Sequence, residues 1–83
     1  MGRMDGQVVL ISGGARGLGA AQASLLAHEG ASVVIGDVLD EEGRRTADGI
    51  GSGCRSVHLD VTSEADWEAA VADAEEAFGP LTV

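Results

Sequence analysis

The sequence predicts an α/β fold, an open, doubly wound parallel sheet with helices on both faces, and an incomplete one. Three observations predict it. Segments of strand length recur at 7–12, 32–37 and 55–59, the first two with apolar, largely β-branched runs, and a segment with helical spacing follows each. Strand–helix order repeated three times leaves parallel strands joined by right-handed crossovers. Glycines at 13, 17 and 19 fill the first strand–helix junction, where a tight turn is needed.

In chain order, residues 1–6 form a polar lead-in, with Asp5-Gly6 a turn before the first strand at 7–12. Leu18, Ala21, Leu25 and Leu26 fall at helical spacing, and Gly30 sits where a left-handed C-terminal cap belongs, giving a helix over 17–29. Ser32–Asp37 is the second buried strand. Asp40, Glu41 and Glu42 suit the positive first turn of a second helix, short and weakly amphipathic, which Gly49, Gly51 and Gly53 break. A third strand over 55–59 runs into Asp60-Val61-Thr62. Ser63 with Asp66 resembles a capping box, with Asp66 a shorter stand-in for Glu or Gln. Trp67, Ala70, Val71, Ala74 and Phe78 then form one apolar helical face, with Trp67 and Phe78 expected in the core. Gly79-Pro80 stops this helix, and residues 81–83 open a fourth strand. The pattern is βαβαβα plus the start of a fourth strand, so residues 1–83 read as the N-terminal part of one domain.

Fourteen acidic residues against five arginines give a formal charge of −9. That balance disfavours nucleic acid and anionic membrane, which reward basic patches. One cysteine, Cys54, excludes an internal disulfide and a cysteine-cluster metal site, and it reads as a small, partly buried thiol. No run approaches the roughly 18 to 20 apolar residues of a membrane span. The short apolar stretch after Arg3 and Asp5 fits a core strand better than a signal peptide, so the expected location is the cytoplasm. The chain holds neither tyrosine nor lysine. No mechanism that needs a phenol or an amine is complete within it.

The glycine junction carries the chemistry. A strand, a tight turn and a helix N-terminus aim unpaired backbone N–H groups and a positive dipole end at one place, which suits a pyrophosphate. The spacing is G-x-x-x-G-x-G, and Asp37 ends the next strand 18 residues beyond Gly19. The alternative is a glycine turn that serves only helix–strand packing.

Together, Ser-Gly-Gly-Ala-Arg-Gly-Leu-Gly (12–19), Gly-Asp-Val (36–38), Asp-Val-Thr (60–62) and Phe-Gly-Pro-Leu-Thr-Val (78–83) resemble the N-terminal third of a short-chain dehydrogenase/reductase. The resemblance implies a Rossmann-type, NAD-binding domain. It also implies that Gly13, Gly17 and Gly19 form the pyrophosphate loop, with Arg16 and Leu18 lining it. Asp37 accepts hydrogen bonds from the adenosine ribose, beside Val38, while Asp60 and Val61 hold the adenine. Ser12 replaces the more usual threonine and keeps the hydroxyl. The runs at 37–43 and 58–62, with Asp66-Trp67, are similar to bacterial hydroxysteroid dehydrogenases, which implies a hydroxysteroid among the candidate substrates.

In this family the catalytic Asn, Ser and Tyr-x-x-x-Lys follow the fourth strand, and no position here matches them. The implied reaction is hydride transfer between NAD(H) and a secondary alcohol or ketone, with this segment holding only part of the cofactor. A homo-oligomer, a tetramer by family likeness, is implied as well. Asp37 favours NAD over NADP, since its charge repels a 2′-phosphate by on the order of 1 to 4 kcal/mol at about 4 Å. Arg16 argues the other way, and Asp37 is expected to prevail. His28 and His58 read as structural or solvent-facing, with no partner evident for either. A non-catalytic NAD-binding module and a purely structural fragment remain the alternatives.

Overall fold

The computed structural model describes residues 5–13, 17–51 and 53–81. Its elements are β1 (Val8–Ser12), α1 (Gly17–His28), β2 (Ser32–Asp37), α2 (Asp40–Ile50), β3 (Cys54–His58) and α3 (Glu64–Phe78). The three strands form one parallel sheet in the order β1-β2-β3. Ser12 pairs with Gly36 and Asp37 with His58, so the strands end together along one rim.

Strand alternation sorts the core into two layers. Val9, Val33, Ile35 and Cys54 share one cluster with Ala23 of α1, Ala31 and Ala47 of α2. Val8 and Val34 point to the other face, where Leu59 and Ala70 and Ala74 of α3 are also buried. Val33, Val34 and Ile35 of the central strand are fully covered, which is what an uninterrupted apolar strand in a doubly wound sheet requires. The Cys54 thiol is buried, and burial pushes its pKa up to about 11, so it stays protonated and inert at neutral pH.

The helix ends follow the local chemistry. Gly30 at φ +100° ends α1 in a Schellman motif, with Ala31 N–H donating to Leu26 O and Gly30 N–H to Ala27 O. A Cβ at Gly30 would also run into the Asp5 carboxylate. Ser63 Oγ accepts the Asp66 N–H at 3.2 Å, as a capping box predicts. The reciprocal half differs: Asp66 Oδ2 accepts from Asp60 N–H at 3.0 Å, three residues upstream of the cap.

Four expectations need correction. The buried side of α1 centres on Ala23, with Leu26 and Ala27 packed beside it, while Leu18 and Leu25 are exposed. A helix apolar on every side carries no sequence signal of its inner face, and small alanines let it approach the sheet most closely. The second helix is clearly two-faced: Gly43 and Ala47 are buried and Ile50 packs on the core, opposite exposed Glu41, Arg44, Arg45 and Asp48. It also runs through Gly49 and stops at Gly51, whose N–H bonds Ala47 O. Trp67 lies at the rim, 37% exposed, because α3 meets the sheet through Ala70 and Ala74, one and two turns further on. The expected fourth strand falls mostly outside the described residues: Leu81 carries no strand, and Thr82 and Val83 lie beyond them.

Candidate functional site

The carboxyl ends of β1, β2 and β3 bring their following turns to one rim, where open parallel sheets bind ligands. After β1 the chain takes a left-handed residue, Gly13 at φ +71°, whose N–H donates to Gly36 O at 2.7 Å. That bond ties the loop to the central strand. Gly17 at φ +65° then turns the chain into α1. Among the described residues, chain neighbours and adjacent helix backbone aside, nothing lies within 4 Å of a Cβ built at either glycine, and the positive φ is what favours glycine there. Gly19 follows within the first turn of α1. Gly14, Ala15 and Arg16 lie outside the described residues, and with them the expected role of Arg16.

Asp37 ends β2, and its Oδ1 accepts the Leu39 N–H at 3.1 Å. Its own carbonyl accepts the Leu59 N–H, which extends the β2–β3 ladder to the rim. The turn after β3 is folded on Asp60: Oδ1 accepts from Thr62 N–H at 2.9 Å and Thr62 Oγ1 at 2.6 Å. These bonds hold the Asp60 carboxyl below the usual aspartate range. With Oδ1 engaged, an exocyclic amine would be met by Oδ2. Val61 O accepts the Trp67 indole N–H at 3.0 Å, which fixes the far side of the same turn.

Leu18, Val38 and Val61 are all more than half exposed, one in each of the three segments that follow the strands. Three bare apolar side chains beside two carboxylates make a surface suited to a flat ring and a sugar. The roomier recesses do not gather this chemistry: one of about 430 Å³ lies along α3, lined by Trp67, Glu68, Val71, Ala72 and Glu75. A recess of about 420 Å³ opens at the opposite end, between α1 and α2, lined by Ser24, Ala27, His28, Gly49, Ile50 and Gly53. It offers only one titratable side chain, whereas the rim gathers Asp37, Asp60 and the glycine turn. Among the described residues no group of His, Cys, Asp and Glu is placed to hold a metal.

The rim also holds an arrangement that sequence reasoning missed. His58 Nδ1 lies 2.7 Å from Asp40 Oδ1, and Nε2 lies 3.6 Å from Asp66 Oδ2. His58 is solvent-facing as expected, but it has partners. Hydrogen bonding and charge from Asp40, then the charges of Asp66 and Asp60, raise its pKa. Nothing in the residue spacing links 40, 58 and 66, because their meeting needs the β2–β3 pairing and the starts of two helices.

The family model for short chain dehydrogenase matches residues 7–83. The chain belongs to the short-chain dehydrogenase family. Among its relatives, the 3-alpha-(or 20-beta)-hydroxysteroid dehydrogenase of Mycobacterium tuberculosis is 54% identical over 82 residues, which cover 99% of this chain and 32% of that one. The trans-4-hydroxycyclohexanecarboxylate dehydrogenase of Sinomonas cyclohexanicum is 47% identical, covering 98% and 35%. In structure the chain is similar to the 3-ketoacyl-(acyl-carrier-protein) reductase of Brucella melitensis, solved in complex with NADH, at a TM-score of 0.91 and 38% identity, over 94% of this chain and 32% of that one. This family member thus spans about a third of the length of the relatives it matches.

Proposed function

We propose that this chain forms the adenosine and pyrophosphate half of an NAD(H) site, in a protein that moves hydride between NAD(H) and a secondary alcohol or its ketone. One observation carries the reading: Asp37 ends the central strand one residue beyond Gly36, whose carbonyl anchors the glycine turn at Gly13. A ribose diol and a diphosphate are neighbours in the dinucleotide, and the acceptor and the turn are neighbours here. Gly13, Gly17 and Gly19 would take the diphosphate, with Arg16 and Leu18 beside it. Asp37 would hold the ribose, and Val38, Asp60 and Val61 the adenine.

A dinucleotide held here by its adenosine half would supply a nicotinamide that accepts or releases the hydride. This chain's part is to hold and orient the other end. The proton of the alcohol needs a base, and neither a tyrosine nor a lysine among these 83 residues offers one. A hydroxysteroid substrate rests on the likeness to the mycobacterial enzyme, and a homo-oligomer on family resemblance.

The test uses the protein expressed from its complete coding sequence. NAD should raise its melting temperature by mass action, and NADP should do so less at equal concentration. Asp37→Asn keeps an oxygen for Leu39 N–H but removes the charge. It should narrow the NAD-over-NADP preference by about fivefold, the low end of the repulsion a carboxylate exerts on a phosphate. Turnover of secondary alcohols, hydroxysteroids included, would follow by absorbance of NADH. Binding without turnover would favour a non-catalytic module, and no thermal shift at saturating NAD would overturn the reading.

A further inference from the structure

His58 closes β3 and stands in register beside Asp37. Its Nδ1 meets Asp40, the first residue of α2, whose N–H donates back to Val38 O at 3.1 Å. Its Nε2 faces Asp66 Oδ2, and that same oxygen holds the Asp60 N–H. One imidazole therefore spans two turns, the one carrying Asp37 and Val38 and the one carrying Asp60 and Val61. Carboxylate oxygens only accept hydrogen bonds, and a neutral imidazole has a single N–H to give. Both carboxylates are served only by the imidazolium; the neutral ring turns a lone pair toward one of them.

We propose that protonated His58 is a positioning residue for the adenosine half of the site, bracing the β2–α2 turn against the β3–α3 turn so that dinucleotide binding and His58 protonation are coupled. This rests on the NAD(H) reading above. The charged groups around the ring are Asp40 and Arg44 of α2, which line one recess with it, Asp66 of α3, Asp60 of the intervening turn, and Asp37 on the neighbouring strand. Four carboxylates outweigh one guanidinium, and the surroundings favour the charged ring, in line with its raised pKa. The ring is half exposed, so the coupling is modest, about two- to five-fold, the range an exposed ion pair supports.

The experiment is NAD binding to the protein from its complete coding sequence, titrated between about pH 5 and 9, the span in which histidine changes charge. The Kd should rise about two- to five-fold as pH climbs through the His58 titration. His58→Gln should show the weaker Kd throughout, with that pH step gone. His58→Arg, permanently charged and able to reach both carboxylates, should recover the tighter Kd without the step. By reciprocity, NAD should raise the His58 pKa read by proton NMR in the wild type, with His28 as internal control. A His58→Gln protein with wild-type Kd and pH profile, or a His58 pKa that NAD leaves unmoved, would overturn the bracing role while leaving the NAD reading intact. Wild-type protein that binds no NAD at any pH would overturn both. The NMR titration needs no variant, so it decides even if His58→Gln does not fold.

Discussion

Asp60 shows what one side chain can fix. Its carboxylate gathers the Thr62 N–H and hydroxyl and so shapes the turn that carries Val61. Its folded pKa is lowered from the ordinary 3.8, so its contribution to stability is present above that value. It is lost as pH falls through the lowered folded value. Thr62→Val removes the hydroxyl donor, and the variant should be less stable than wild type at neutral pH, with the two converging as both are taken into acid. Denaturant melts across that range would show it, and a gap that stays constant would sink the assignment. Asp37 and Asp60 stood out in the sequence because one ends a recognisable strand and the other lies in the turn just after one. His58 did not, since its partners come from elements 18 and 8 residues away whose starts meet only at the rim.

At the scale of elements, local signals located the helices and strands more securely than they oriented them. Ser32–Asp37 falls where the apolar run places it, and Gly30 and Ser63 end and begin helices by the chemistry their residue types carry. Ser63→Ala removes the oxygen that accepts the Asp66 N–H and should cost about 1 kcal/mol of stability. A variant with an unchanged denaturation midpoint would mean that the Asp66–Asp60 bond alone secures the start of α3. The inward faces of α1 and α3 were harder to see. Both helices are alanine-rich, and the sheet selects the smallest side chains, Ala23, Ala70 and Ala74, while Leu18, Leu25 and Trp67 stay outside. Hydrophobicity ranks large side chains first, whereas close approach ranks small ones first. The Arg55–Asp73 pair, bidentate at 3.0 Å, ties β3 to α3 from outside and, being partly exposed, adds little beyond orientation.

Across the molecule, β2 is the strand flanked on both sides and covered on both faces. Its amides should therefore outlast those of the outer strand β3 in hydrogen exchange. Comparable exchange at Val34 and Val57, each bonded into the ladder, would mean that the sheet opens as one unit. The order of elements was readable because three strand–helix repeats admit few topologies. The rim's geometry was not, since it is made by register between strands.

All three helices begin at that rim, each with about half a positive charge at its start. α2 brings Asp40, Glu41 and Glu42 to its own first turn, and α3 brings Glu64 and Asp66, whereas the first turn of α1 has no acid. Two of the three dipole ends are thus already answered by the chain. A diphosphate would be favoured at α1 and disfavoured on the β3 side, where an uncharged base would fit better. Under the proposed function, a dinucleotide laid across the strand ends would have one direction of travel: adenine over β2 and β3, the reactive ring out past β1. Reversing it would set its phosphates against five carboxylates.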